Sequence, residues 1–131
     1  MSTSPSTLPQ LAAKARSIKT AIANLGEMIP GSLLERFRKC GKPNCHCAKN
    51  GERGHGPTLV ITRAVQGRTI TKTVPDSAAE QVRAATEEYK RFRELVRDLR
   101  QTSEQLGDLR LRQAAEDEAV KKDRARSQLR R

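Results

Sequence analysis

From Leu8 onward the apolar positions recur in alternating steps of three and four: Leu8, Leu11, Ala15, Ile18, Ile22, Leu25 and Ile29. This spacing is one stripe of a helix, with the seam of a coiled coil, and it predicts a helix over residues 8–29. Thr7 stands as its cap, Pro9 falls in the first turn, and Gln10 is placed to close a capping box. Gly26 or the Pro30-Gly31 pair should end it. Residues 1–7 are polar and read as a disordered start. Over 32–39, Ser-Leu-Leu-Glu-Arg-Phe-Arg-Lys, the pattern suits a short helical turn or a strand equally well. Leu33, Leu34 and Phe37 are expected to pack beneath whatever follows.

The pattern changes at Thr58. Thr58-Leu59-Val60-Ile61-Thr62-Arg63-Ala64-Val65 and Arg68-Thr69-Ile70-Thr71-Lys72-Thr73-Val74 are β-branched runs joined by Gln66-Gly67, which predicts a hairpin with Gly67 at positive φ. Pairing Val65 with Arg68 sets Leu59 opposite Val74 and puts the Thr62 and Thr71 pair on the other face. A lone hairpin is marginal in water and needs support. Ser77 and Glu80 then form a capping box for a second helix. Its stripe is Val82, Ala85, Tyr89, Phe92, Val96, Leu99 and, after a break at Ser103, Leu106. Two such seams should bury each other as an antiparallel pair. At 1.5 Å per residue the second helix runs about 45 Å against about 30 Å for the first, so its overhang calls for a partner, most simply a second copy of the chain. Arg97, Arg100, Glu94 and Asp98 read as a solvated face. Residues 108–131 alternate in charge and read as a charged helical or disordered tail.

Composition narrows the choice. With 35% apolar and 2% aromatic residues, a chain of 131 residues has a thin core, and something besides apolar burial must hold it together. All three cysteines fall within 40–47, as Cys40-Gly41-Lys42-Pro43-Asn44-Cys45-His46-Cys47, with Gly54-His55-Gly56-Pro57 just beyond. Zinc takes thiolate and imidazole ligands on short loops and contributes folding free energy, so the expected ligands are Cys40, Cys45, Cys47 and one histidine. His46 lies between two ligands and should point away, whereas His55 sits on a glycine-flanked turn and makes the better fourth. The competing readings are free thiols on a basic loop, or a redox sensor with thiolates activated by Lys39 and Lys42. No carboxylate stands beside the cluster as a general base, which disfavours a catalytic zinc. The fold class expected is α+β, mainly helical: an antiparallel two-helix coiled-coil stalk with a zinc knuckle and β-hairpin at its tip. The parts are a start at 1–7, a helix at 8–29, the knuckle and hairpin at 30–75, a long amphipathic helix at 76–107 and the tail at 108–131.

Charge changes the picture once more. The net charge is +11, and residues 31–75 hold nine basic residues against two acidic, while the flanking segments are nearly balanced. Arg36, Arg38, Lys39, Lys42, Lys49, Arg53, Arg63, Arg68 and Lys72 therefore surround the cysteine cluster, as expected for a polyanion site. With Phe37, Tyr89 and Phe92 as the aromatic residues, stacking on single strands is disfavoured and contact with a DNA duplex is favoured. An odd cysteine count, a polar start and the lack of a membrane-length apolar run point to the cytoplasm. Nothing resembles paired metal-binding carboxylates, a phosphate-cradling glycine loop or a nucleophile with its base, so no enzyme is expected.

Several of these segments carry a resemblance. Ile29-Pro30-Gly31-Ser32, the 40–48 stretch, His55-Gly56-Pro57, Thr62-Arg63, Val74-Pro75 and Tyr89-Lys90-Arg91-Phe92-Arg93-Glu94-Leu95 resemble an uncharacterised prokaryotic domain family found beside or fused to insertion-sequence transposases. The resemblance spans roughly residues 27–110 and implies a role near mobile DNA without implying an activity. Where that family follows His-Gly-Pro with aromatic residues, this chain has Thr58-Leu59. Two functions follow as expectations: a zinc-stabilised DNA-binding accessory module, or an assembly adaptor whose helices capture a protein partner while the basic tip is incidental.

Overall fold

The computed structural model describes residues 7–130, so the expected disordered start lies, apart from Thr7, outside the described residues. The architecture is α+β, with two helices, a three-stranded antiparallel sheet and two short 3-10 turns. In order these are α1 (Leu8–Ala23), β1 (Ser32–Arg38), a 3-10 turn at His46–Ala48, β2 (His55–Val65), β3 (Arg68–Thr73), a 3-10 turn at Asp76–Ala78 and α2 (Ala79–Leu129). They fall into two compact units. One holds α1 with α2 from Phe92 onward, and the other is Leu25–Arg91.

In the helical unit, α1 starts on the expected capping box. The Thr7 side chain accepts from the Gln10 amide at 3.4 Å, and the Gln10 side chain accepts from the Thr7 amide at 3.3 Å. The stripe Leu11, Ala15 and Ile18 is buried, with Leu11 only 1% exposed. α1 shares its unit with α2 from Phe92 onward. The α2 side chains withdrawn from solvent in this unit are Phe92, Leu95, Leu99, Thr102, Leu106 and Leu109, again in steps of three and four, with Gly107 beside them. Their phase differs by one residue from the expected stripe over part of its length. Leu95 and Thr102 face inward where Val96 and Ser103 were expected, and Val96 is 41% exposed. There is no break at Ser103; the helix runs unbroken to Leu129, and beyond Leu109 every described residue is exposed.

In the other unit, the chain leaves α1 at Ala23, six residues before the expected end. Asn24 caps the helix, and the next amides find partners elsewhere: Gly26 donates to Glu88 Oε2 at 2.8 Å and Ile29 to the Ala85 carbonyl at 3.1 Å. Leu25 and Ile29 continue the apolar spacing but belong to this connection. Residues 32–38 are a strand, β1, which pairs with β2; the sheet order is β1-β2-β3. Alternation splits its apolar residues, leaving Leu33 and Phe37 half-buried and Leu34 50% exposed. The hairpin has the expected register, with Val65 opposite Arg68 and Thr62 opposite Thr71. β3 ends at Thr73, yet the Val74 amide still donates to the Leu59 carbonyl at 2.8 Å. Gln66 and Gly67 both have positive φ, 51° and 79°, as a two-residue primed turn requires. Ser77 lies inside the second 3-10 turn instead of heading the helix, and α2 proper starts two residues later. The buried apolar residues of this unit are Cys47, Val60, Val74 and Ala85, a core as thin as the composition implies.

Candidate metal centre

Three local structures deliver the four side chains of the cysteine and histidine cluster. β1 ends at Arg38 and leads directly to Cys40. The loop then turns on a Cys45 amide bond to the Lys42 carbonyl at 3.2 Å, and the 3-10 turn at His46–Ala48 carries Cys47. His55 is the first residue of β2, paired with Arg38 next to an irregularity in the β1–β2 register. That close approach is possible because its neighbours lack side chains. A Cβ on Gly54 would lie 2.7 Å from the Arg38 carbonyl carbon, and one on Gly56 would lie 2.7 Å from the Arg36 carbonyl oxygen. Both glycines also have φ values, 96° and 141°, that other residues rarely adopt.

The result is a Cys3His cluster in which one donor atom from each of Cys40, Cys45, Cys47 and His55 lies within 4.8 Å of the others. Cys40 Sγ is 3.4 Å from Cys47 Sγ, and Cys45 Sγ is 3.1 Å from His55 Nε2. Tetrahedral zinc bonds imply edges of about 3.8 Å between sulfurs and about 3.6 Å between sulfur and nitrogen. The donor set fits a single four-coordinate soft-ligand metal ion by both chemistry and size. His46 is not part of the closest set; its Nδ1 is 3.8 Å from Cys45 Sγ and its ring meets that of His55 edge-on at 5.4 Å.

The thiols differ in acidity. Cys40 is drawn down to about 6, chiefly by the Lys42 backbone amide and then by its contacts with Cys47 and His55. Cys47 moves the other way. The Cys40 amide, 3.5 Å from its sulfur, favours the thiolate, but desolvation and the neighbouring Cys40 and Cys45 sulfurs outweigh it and push the thiol up. Lys39, taken from the sequence as an activator, contributes nothing to either shift; at position 42 the backbone acts, not the ammonium.

All nine basic residues singled out in the sequence are exposed and lie within the unit Leu25–Arg91. Among the described residues the ion pairs are Lys90 with Glu87 and Arg100 with Glu104, so none of the nine is neutralised by an acidic partner. They do not form one patch. Strand alternation sends Arg36 and Arg38 to one face of the sheet, and Arg63, Arg68 and Lys72 to the other. Lys39, Lys42, Lys49 and Arg53 sit on the cysteine loop, where the Arg53 guanidinium carbon lies 5.5 Å above the Phe37 ring. That last contact was not legible from spacing, since β1 could not be told from a helical turn.

Comparison with known proteins gives one match. The model of the family described as a domain of unknown function, DUF6788, matches residues 8–84, well over half of the chain. The chain belongs to this family. The DUF6788 match takes in α1, the whole sheet and the Cys3His cluster, and stops in the first turns of α2. No curated protein and no solved structure matches the chain. Among the described residues no helix is long and apolar enough to cross a membrane.

Proposed function

We propose that this DUF6788 protein is a zinc-stabilised nucleic-acid-binding accessory module whose ligand is duplex DNA. The observation that carries the reading is the pairing of a Cys3His cluster with nine exposed, unneutralised cations in one thin-cored unit. Zinc held by Cys40, Cys45, Cys47 and His55 supplies the folding free energy that the apolar core does not. The ligands fix the 40–55 loop against the end of β1, and the loop and strands present the cations to phosphates. No catalytic step is assigned. The sequence resemblance to a transposase-associated family supports a role near machinery that moves DNA, and a reducing cytoplasm is the compartment in which the thiolates would remain available to a metal.

The test is affinity for a duplex of about twenty base pairs as a function of salt, with zinc-loaded protein. Log affinity should fall linearly with log salt, with a slope magnitude near 0.9 for each phosphate contacted. A flat salt response ends the reading.

A second reading is supported by α2. Leu111, Val120 and Leu129 are 72%, 51% and 86% exposed on a helix that continues far past the family match. This favours a coiled-coil assembly adaptor that binds a partner helix or a second copy of the chain. If replacing Leu111, Val120 and Leu129 by polar residues changes neither the oligomeric state nor partner capture, the adaptor is excluded.

A further inference from the structure

On one face of the hairpin every cross-strand pair joins a cation to an aliphatic residue: Val65 opposite Arg68, Arg63 opposite Ile70, and Ile61 opposite Lys72. The cations therefore zigzag between β2 and β3, advancing about 7 Å at each step because same-face residues are two apart at about 3.4 Å each. Arg63, Arg68 and Lys72 are exposed, while Ile61, Val65 and Ile70 are half-buried between them. From His55 to Val74 there is no acidic residue, and the one carboxylate on this face of the sheet, Glu35 of β1, stands opposite Leu59 at the end away from the turn, so the β2–β3 ribbon itself carries positive charge alone. A shallow cavity of about 150 Å³ opens here, lined by Ile29, Pro30, Ile61, Arg63, Ile70 and Lys72. Four of its six lining residues are apolar and two are cations.

We infer that this checkered face of β2 and β3 is the DNA-contacting surface, and that it enters the major groove. The inference rests on the duplex-DNA reading above and adds to it where the contact is made and in which groove. Three features select the occupant. A continuous cationic ribbon without acidic residues complements phosphate. The major groove, about 12 Å wide, admits a β-ribbon, whereas the minor groove, about 6 Å wide, does not. Aliphatic side chains between the cations meet thymine methyl groups, which only the major groove displays. The opposite face offers Thr69, Thr71 and Thr73 along β3, hydroxyls without charge.

The experiment uses the full-length zinc-loaded protein and a mixed-sequence duplex, followed by fluorescence anisotropy. The triple variant Arg63→Ala, Arg68→Ala, Lys72→Ala should lose on the order of tenfold or more in affinity, and its salt slope should fall by about 2 to 3. The double variant Arg36→Ala, Arg38→Ala, on the other face, should lose less than about threefold. Zinc content and far-UV circular dichroism confirm that each variant is folded. Methyl green, which occupies the major groove, should compete with the protein, and netropsin, which occupies the minor groove, should not. If the triple variant binds like the parent while Lys42→Ala, Lys49→Ala, Arg53→Ala abolishes binding, the contact lies on the cysteine loop. The inference then fails and the DNA reading stands. Displacement by netropsin alone also overturns it. If the parent protein binds no duplex even at low salt, both fall together.

Discussion

His55 and His46 are the same residue type a few ångströms apart, yet their positions give them different work. His55 Nε2 reaches 3.1 Å from Cys45 Sγ within the four-donor cluster, whereas His46 approaches the same sulfur at 3.8 Å from outside it. Removing a true ligand should cost more than the tenfold to hundredfold typical of an outer-sphere group, so His55→Ala should weaken zinc binding by more than about a hundredfold. His46→Ala should stay within about tenfold. Competition against a chromophoric chelator measures both, and equal losses would assign the fourth ligand wrongly. Acidity separates the thiols in the same way. A thiol lowered to about 6 is mostly thiolate above that pH, so in chelator-treated protein Cys40 should reach half its maximal alkylation rate near pH 6. Cys47, raised and 1% exposed, should react only at distinctly higher pH, and mapping by mass spectrometry would show it. If Cys47 reacts first, this picture of the cluster is wrong. The cluster was legible in the sequence because its ligands are close neighbours in the chain; the role of the Lys42 amide was not, because a backbone direction has no residue code.

Among the elements, α2 shows how burial divides one helix. Leu11 on α1 is 1% exposed in the helical unit, while Leu111 on α2 is 72% exposed. Leu11→Ala should therefore cost about 2 to 5 kcal/mol in chemical denaturation, whereas Leu111→Ala should change stability by no more than about 0.5 kcal/mol. A large loss at Leu111 would show that the exposed stretch is covered in solution, which favours the adaptor. The capping box of α1 and the register of β2 with β3 were readable because each is set by residues within a few positions of one another. The early end of α1 was not. Leu25 and Ile29 keep the apolar spacing, and the chain departs because Gly26 and Ile29 bond to Glu88 and Ala85, some sixty residues away. β1 was equally hidden, because its residues alternate only weakly and its pairing partner lies beyond the whole cysteine loop. The one-residue phase change to Leu95 and Thr102 was hidden because each position has a like neighbour, Leu95 beside Val96 and Thr102 beside Ser103, so spacing alone could not choose between them.

For the whole molecule, the decisive question is where the stability of the sheet resides. The unit Leu25–Arg91 buries only Val60, Val74 and Ala85 as aliphatic core, besides Cys47 and Thr86. At about 25 cal/mol per Å² of apolar surface, three small side chains offset little of the 1 to 2 kcal/mol that ordering each backbone residue costs. The helical unit contains no member of the cluster and depends on Leu11, Ala15 and Ile18. Metal removal should therefore act unequally. Chelation should raise hydrogen exchange sharply across β1 and the start of β2, where Arg38 pairs with His55, and leave the amides of α1 protected as before. Far-UV circular dichroism should fall only slightly, because most of the helix lies in residues that the cluster does not hold. Exchange read by mass spectrometry, with and without chelator, separates the outcomes. Uniform protection after chelation would mean that the sheet is stable without metal and that the four donors hold it for another purpose. Loss of protection throughout both units would mean that the metal holds the protein as one cooperative structure, and the cations of the sheet would then present themselves to DNA only in the metal-loaded protein.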